Sequence, residues 1–171
     1  VTVFFLARVQ ASLYFMNNIA DETIFNRARR QVLINAVPFV VLFLIFVGVT
    51  LTADGYELNP VNGEVFVRKY KYFFNLIEMP WVAVMFLIGV VSVLYAIIRA
   101  AFSKTWICGI WYSGIGTVLV VLSLFFLAGY NNTPYYPSAV DLQSSLTIYN
   151  SSSSLFTLEV MTVVSFLVPF V

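Results

Sequence analysis

Three stretches of the chain, 31–53, 79–98 and 105–140, contain no Asp, Glu, Lys or Arg. Each is long enough to cross a bilayer, because about 20 apolar residues rising 1.5 Å apiece cover its roughly 30 Å hydrocarbon core. The polar residues between them place complete membrane helices over about 33–53, 79–99 and 106–129. Two further apolar runs, 1–18 and 157–171, lie at the ends of the chain and are expected to be membrane helices cut short, in a piece of a longer protein. The expected fold class is all-α: a polytopic transmembrane helix bundle with three complete and two truncated helices, forming a single membrane domain over 1–171.

The links between the runs are polar in different ways. Residues 19–32 contain Asp21, Glu22, Arg27, Arg29 and Arg30 interleaved with Ile24, Phe25 and Val32, a pattern suited to a short surface helix continuing into the next span. The tight turn at 98–104 carries Arg99 and Lys104. Basic residues in short loops mark the cytoplasmic side, so both links are placed there. The opposite loops are 54–78 and 130–157. The first mixes Arg68, Lys69 and Lys71 with Asp54, Glu57, Glu64 and Glu78, and the second has no Lys or Arg and is rich in Asn, Pro, Tyr and Ser. Hydroxyls of Ser151 to Ser154 or of Thr157 can cap the last helix.

Composition sharpens this reading. Hydrophobic residues make up 61% of the chain and charged residues 10%, against roughly 45–50% and about 25% in soluble domains. Such spans lack the charged outer faces that a soluble helical protein needs. A net charge of +1 leaves no electrostatic footprint for nucleic acid. The sequence has no histidine and one cysteine, so it contains neither a histidine ligand for haem or zinc nor an intrachain disulfide. Cys108 is expected to be a small apolar residue inside a membrane helix.

Few residues invite a chemical role. Arg8 lies within the first apolar run, and a charge near the bilayer centre costs about 2.5–3.5 kcal/mol on insertion scales. It should therefore face a partner chain, a cavity or an acidic group, either as a structural pair or within a polar network touching a cofactor or quinone. Glu159 follows Thr157 at the start of the last run, where a helix N-terminus favours an acid. Glu78 before Pro80 has the look of a helix start. Gly109, Ser113, Gly116 and Thr117 share one helix face, a small-residue strip that lets another helix come close.

Several segments together resemble a known family. Asp54-Gly55-Tyr56 follows the second span; Pro137-Ser138 opens a loop running into Ser145-Leu146-Thr147-Ile148 and Ser152-Ser153-Ser154; Thr157-Leu158-Glu159-Val160-Met161-Thr162 and Pro169 follow. These, with Gln10, Ala11 and Tyr14 before the Arg-rich link, resemble the C-terminal half of subunit II of the cytochrome bd-type quinol oxidases. The resemblance covers essentially the whole chain. It implies a bacterial inner-membrane complex that oxidises quinol and reduces dioxygen to water. In it, haems b and d are held by the partner, subunit I, and none is bound by this chain. Expected partners are that haem-bearing subunit and the lipid bilayer, with a small accessory subunit left open. No catalytic, cofactor-binding or metal-binding residue is expected here. Arg8, Gln10, Asp54, Gly109, Ser113 and Glu159 are the candidate structural or partner-contact positions. The competing reading is half of a membrane transporter, in which interrupted helices would converge polar groups near the midplane; Pro38 and Gly48 offer a weak version of that.

Overall fold

In the computed structural model, the residues described are 1–103, 105–134, 136–138, 140–145, 147, 160–161 and 163–164. The first apolar run forms α1 (Thr2–Asn18), which ends at the polar pair Asn17 and Asn18 as Ile19 turns extended. Asp21 restarts the helix: its carboxylate accepts from the Ile24 N–H at 2.8 Å, satisfying a donor that has no partner inside the helix. From there α2 runs without a break over Glu22–Thr52. At 1.5 Å per residue its 31 residues extend about 46 Å, well beyond a hydrocarbon core of roughly 30 Å. Its first turns, with Arg27 and Arg30 exposed, supply the helix expected within 19–32, continuous with the span that follows. Pro38 lies inside α2 without ending it.

Residues 54–78 depart from the loop expected there. They form an antiparallel hairpin, β1 (Gly55–Leu58) with β2 (Val65–Arg68), followed by α3 (Lys71–Glu78). Gly55 pairs with Arg68 and Leu58 with Val65, and Gly63 turns the chain at φ 71°, a left-handed conformation that glycine adopts without a Cβ penalty. Glu78 therefore ends one helix and does not begin the next; Pro80 takes the first position of α4 (Pro80–Phe102), where its missing N–H costs nothing.

The last complete helix, α5 (Gly109–Gly129), starts three residues later than its apolar run suggested. The Trp106 ring packs edge-on to Tyr95 and beside Tyr112, at centroid distances of 5.8 Å each, and anchors the turn before the helix can begin. Cys108 consequently sits exposed at the residue before α5, correcting its expected place inside a membrane helix. Loops after α5 include a short 3₁₀ turn, Leu142–Ser144. Of the run 157–171 only Val160, Met161, Val163 and Val164 are described, all of them helical; the serine cap proposed for it and Glu159 lie outside the described residues.

Among the described residues three helices, α2, α4 and α5, are long and apolar enough to cross a membrane. α1 packs along α2 and α4 along α5, with α1 also meeting α5 and α2 meeting α4. The core lies among Val9, Leu13 and Met16 of α1, Val32 and Phe39 of α2, and Val93 and Ile97 of α4. Rings collect at both ends of the helix pair: Tyr95, Trp106 and Tyr112 at one, Trp81, Phe126 and Tyr130 at the other, as amphipathic rings do at membrane–water boundaries.

Candidate functional site

Chemistry-bearing side chains concentrate at the end of the bundle where α2 and α5 finish. Immediately after α5, Asn131 and Asn132 adopt left-handed backbone, φ 58° and 53°, a conformation asparagine tolerates better than most residues. Their carbonyls thereby reach neighbouring elements. The Asn132 carbonyl accepts from the Leu58 N–H at 2.8 Å, tying the hairpin to the end of α5. The Asn131 carbonyl accepts from Lys71 Nζ at 2.9 Å. The Asn131 amide donates to Asn75 Oδ1 at 3.0 Å and to the Glu78 carboxylate.

Lys71 is wholly buried, with its ammonium 3.2 Å from Glu57 Oε1. Burial is the largest influence on it and lowers its pKa below the ordinary value, while the hydrogen bond and charge of Glu57 act in the opposite sense. Glu57 also receives Arg68 Nη1 through both oxygens, at 3.1 and 3.0 Å. Arg68 reaches Glu78 at 3.5 Å and lies over the Phe74 ring, 4.6 Å from its centroid. Two carboxylates thus balance two cations. One turn further along α3, the fully buried Asn75 amide donates to the Leu127 carbonyl at 3.0 Å and to Thr133 Oγ1 at 2.8 Å. Gly55 is required beneath this assembly, since a Cβ there would lie 2.8 Å from Lys71 Cβ.

The positions singled out in the sequence are dispersed by comparison. Asp54 lies next to the cluster, and its carboxylate accepts from the Tyr70 N–H at 3.3 Å, helping to hold Tyr70 in left-handed backbone at φ 55°. Gln10 is within the bundle, where its amide donates to Thr117 Oγ1 at 2.8 Å; the Thr117 hydroxyl in turn donates to the Ser113 carbonyl at 2.8 Å. Gly109 sits where a Cβ would come 2.8 Å from Leu13 Cδ2. Ser113 is fully buried, and its hydroxyl has no hydrogen-bond partner among the described residues. Arg8 is exposed on α1, 5.6 Å from the Phe4 ring centroid. The structure therefore brings Gln10 to the small-residue strip and leaves Arg8 and Asp54 apart from it.

Glu57, Arg68, Lys71, Asn75, Asn131 and Thr133 escaped the sequence reading. Their signal was the balance of acids and bases in 54–78 together with Asn62-Gly63 between two alternating runs, a hairpin pattern. The Gln10–Thr117 bond is expected to contribute modestly: Gln10→Leu should cost about 0.6 kcal/mol and no more than about 1.7, as interhelical hydrogen bonds in membrane proteins do. Adding Thr117→Val should then cost little more, as read by denaturant unfolding in detergent.

Between α1, α2, α4 and α5 lies an apolar crevice of about 240 Å³, lined by residues such as Leu6, Phe39, Phe43, Val93 and Leu124. Its chemistry suits a hydrocarbon chain and offers nothing to a charged substrate. Among the described residues no donor set marks a haem site. Histidine is missing from the sequence, no three His, Cys, Asp or Glu side chains converge among the described residues, and the carboxylates at the bundle end are already engaged by Arg68 and Lys71.

Comparison with known proteins gives the context for these features. The model of the family described as cytochrome bd terminal oxidase subunit II matches residues 1–171. A protein of Haemophilus influenzae described as probable cytochrome oxidase subunit 2 is 30% identical over 152 residues, which are 82% of this chain and 39% of that protein. The chain thus spans about two fifths of the length of that curated relative. A whole-length family match, on a helical membrane architecture, leads to one conclusion: the chain belongs to the cytochrome bd terminal oxidase subunit II family.

Proposed function

We propose that this chain is part of the non-haem membrane subunit of a bd-type quinol:oxygen oxidoreductase in the bacterial inner membrane, standing beside the haem-bearing subunit I. Electrons and dioxygen are handled on the partner's haems. The residues described here provide a rigid, water-excluding wall. The match of the family model to all 171 residues is the observation that carries this reading, and a sequence without histidine is consistent with haems held elsewhere. Residues 1–171 act as one membrane domain, equivalent to the second four-helix half of the subunit with part of the preceding helix.

Orientation follows from charge. Arg27, Arg30 and Arg99 are exposed at the end formed by the α1–α2 and α4–α5 turns, which we place in the cytoplasm. Arg68 and Lys71 at the opposite end are each paired with a carboxylate and so weigh little against that assignment. The charged cluster then lies on the outer side and clasps the hairpin and α3 over the end of α5. Support against a transporter half comes from α2, which passes Pro38 as one α-helix and does not unwind at the midplane.

Co-purification of the full-length subunit with its partner, followed by a reduced-minus-oxidised visible spectrum, tests the proposal. Haem d bands in the complex, and none in this subunit isolated from it, are expected. A haem-free preparation that catalyses substrate uptake would overturn it.

A further inference from the structure

We infer that the outward face of α1, centred on Arg8, docks a membrane helix from outside this chain that presents an Asp or Glu carboxylate at mid-membrane depth. The inference does not depend on the identity of the enzyme, only on α1 lying in hydrocarbon.

Depth comes first. Arg8 stands ten residues before Asn18, the polar end of α1, about 15 Å along the helix and so half of a roughly 30 Å core. Its neighbour Gln10 agrees, since it bonds to Thr117, which is eight residues after the start of α5 and twelve before its end. From the middle of a span the side chain is too short to bring its guanidinium to the headgroups. A lipid phosphate is therefore out of reach.

The face around Arg8 is built for a helix. Val9, Leu13 and Met16 turn inward to the core, whereas Phe4, Ala7, Arg8, Ala11, Tyr14 and Phe15 are all exposed. They recur every three to four residues, one stripe along the helix. Ala7 and Ala11 on either side of Arg8 form a small-xxx-small pair that admits a neighbouring backbone closely.

Among the described residues nothing answers the charge. All ion pairs among the described residues use Arg68 or Lys71, and Arg8 meets only the Phe4 ring. A guanidinium in hydrocarbon is held by a fork-like bond to a carboxylate far better than by lipid or by a neutral side chain.

The test uses the full-length subunit in its assembled complex. A photo-reactive benzoylphenylalanine at Phe4 or Phe15, both exposed and able to take the larger ring system, should form an adduct with another membrane helix that has an Asp or Glu within about two turns of the linked residue. Arg8→Glu should lower the yield of assembled complex on native gels at least about tenfold, while Arg8→Lys retains most of it. Exchanging the partner's acid for Arg in the Arg8→Glu background should restore assembly, which separates lost docking from lost insertion. Adducts with lipid alone, with residues 157–171 of this chain, or with a helix lacking an acid would overturn the inference. So would wild-type yield of Arg8→Glu, or failure of the charge exchange to rescue it.

Discussion

Glu57→Gln is expected to destabilise the chain by about 3–5 kcal/mol, the range for removing one member of a buried ion pair. The reason is local. Lys71 has no exposed surface, and among the described residues its ammonium touches, besides Glu57, only the Asn131 carbonyl. Arg68 loses its two-oxygen partner but keeps Glu78 at 3.5 Å, so most of the loss falls on Lys71. Replacing both partners, as in Glu57→Gln with Lys71→Met, removes the stranded charge, and that double variant should recover most of the stability. Equilibrium unfolding of the detergent-solubilised protein reads both; a single-variant cost below about 1 kcal/mol would place the pair among exposed salt bridges of little consequence.

The same group predicts a pH dependence whose sign can be worked out. Lys71 has its pKa lowered in the folded state from 10.5, so between the folded and unfolded values the unfolded chain binds more protons. Stability from this group accordingly rises with pH in that window. Glu57 opposes the effect of burial, so Glu57→Gln widens the window downward. The variant should regain part of its loss as the pH is raised towards 10.5, and a loss that grows with pH would contradict the assignment.

Gly116→Val is expected to cost about 3 kcal/mol or more, at the upper end of overpacking effects. A Cβ at Gly116 would lie 2.7 Å from the Gly89 carbonyl oxygen, and one at Gly89 would lie 2.8 Å from the Gly116 carbonyl oxygen. Both obstacles are backbone, so relief requires α4 and α5 to move apart along their whole contact. Gly116→Ala and Gly89→Ala should therefore combine to less than the sum of their separate costs, because the separation made for one methyl accommodates the other. Gly114→Ala is the control. Nothing lies within 4 Å of a Cβ there, and the gain in helix propensity of about 0.8–1.0 kcal/mol should make it neutral or stabilising. Additive costs at Gly89 and Gly116 would sink the close-crossing account.

By itself the sequence determined the membrane setting, the three charge-free spans and the absence of a histidine ligand, because hydrocarbon constrains composition over 20 residues at a time. It also determined the surface start of α2, where arginines alternate with apolar residues, and the small-residue strip on α5, which helical period makes visible from Gly109, Ser113 and Gly116. Only the tertiary structure decided what the polar residues do. Glu57, Lys71 and Asn131 are distant in the chain, and no local pattern announces that two left-handed asparagines will turn a carbonyl onto a buried lysine. The partner of the α5 strip was equally hidden: Gly89 on α4 reads as an isolated glycine until the crossing places it against Gly116. Periodicity reports which face of a helix is buried, whereas the identity of what covers that face depends on how the helices meet in space.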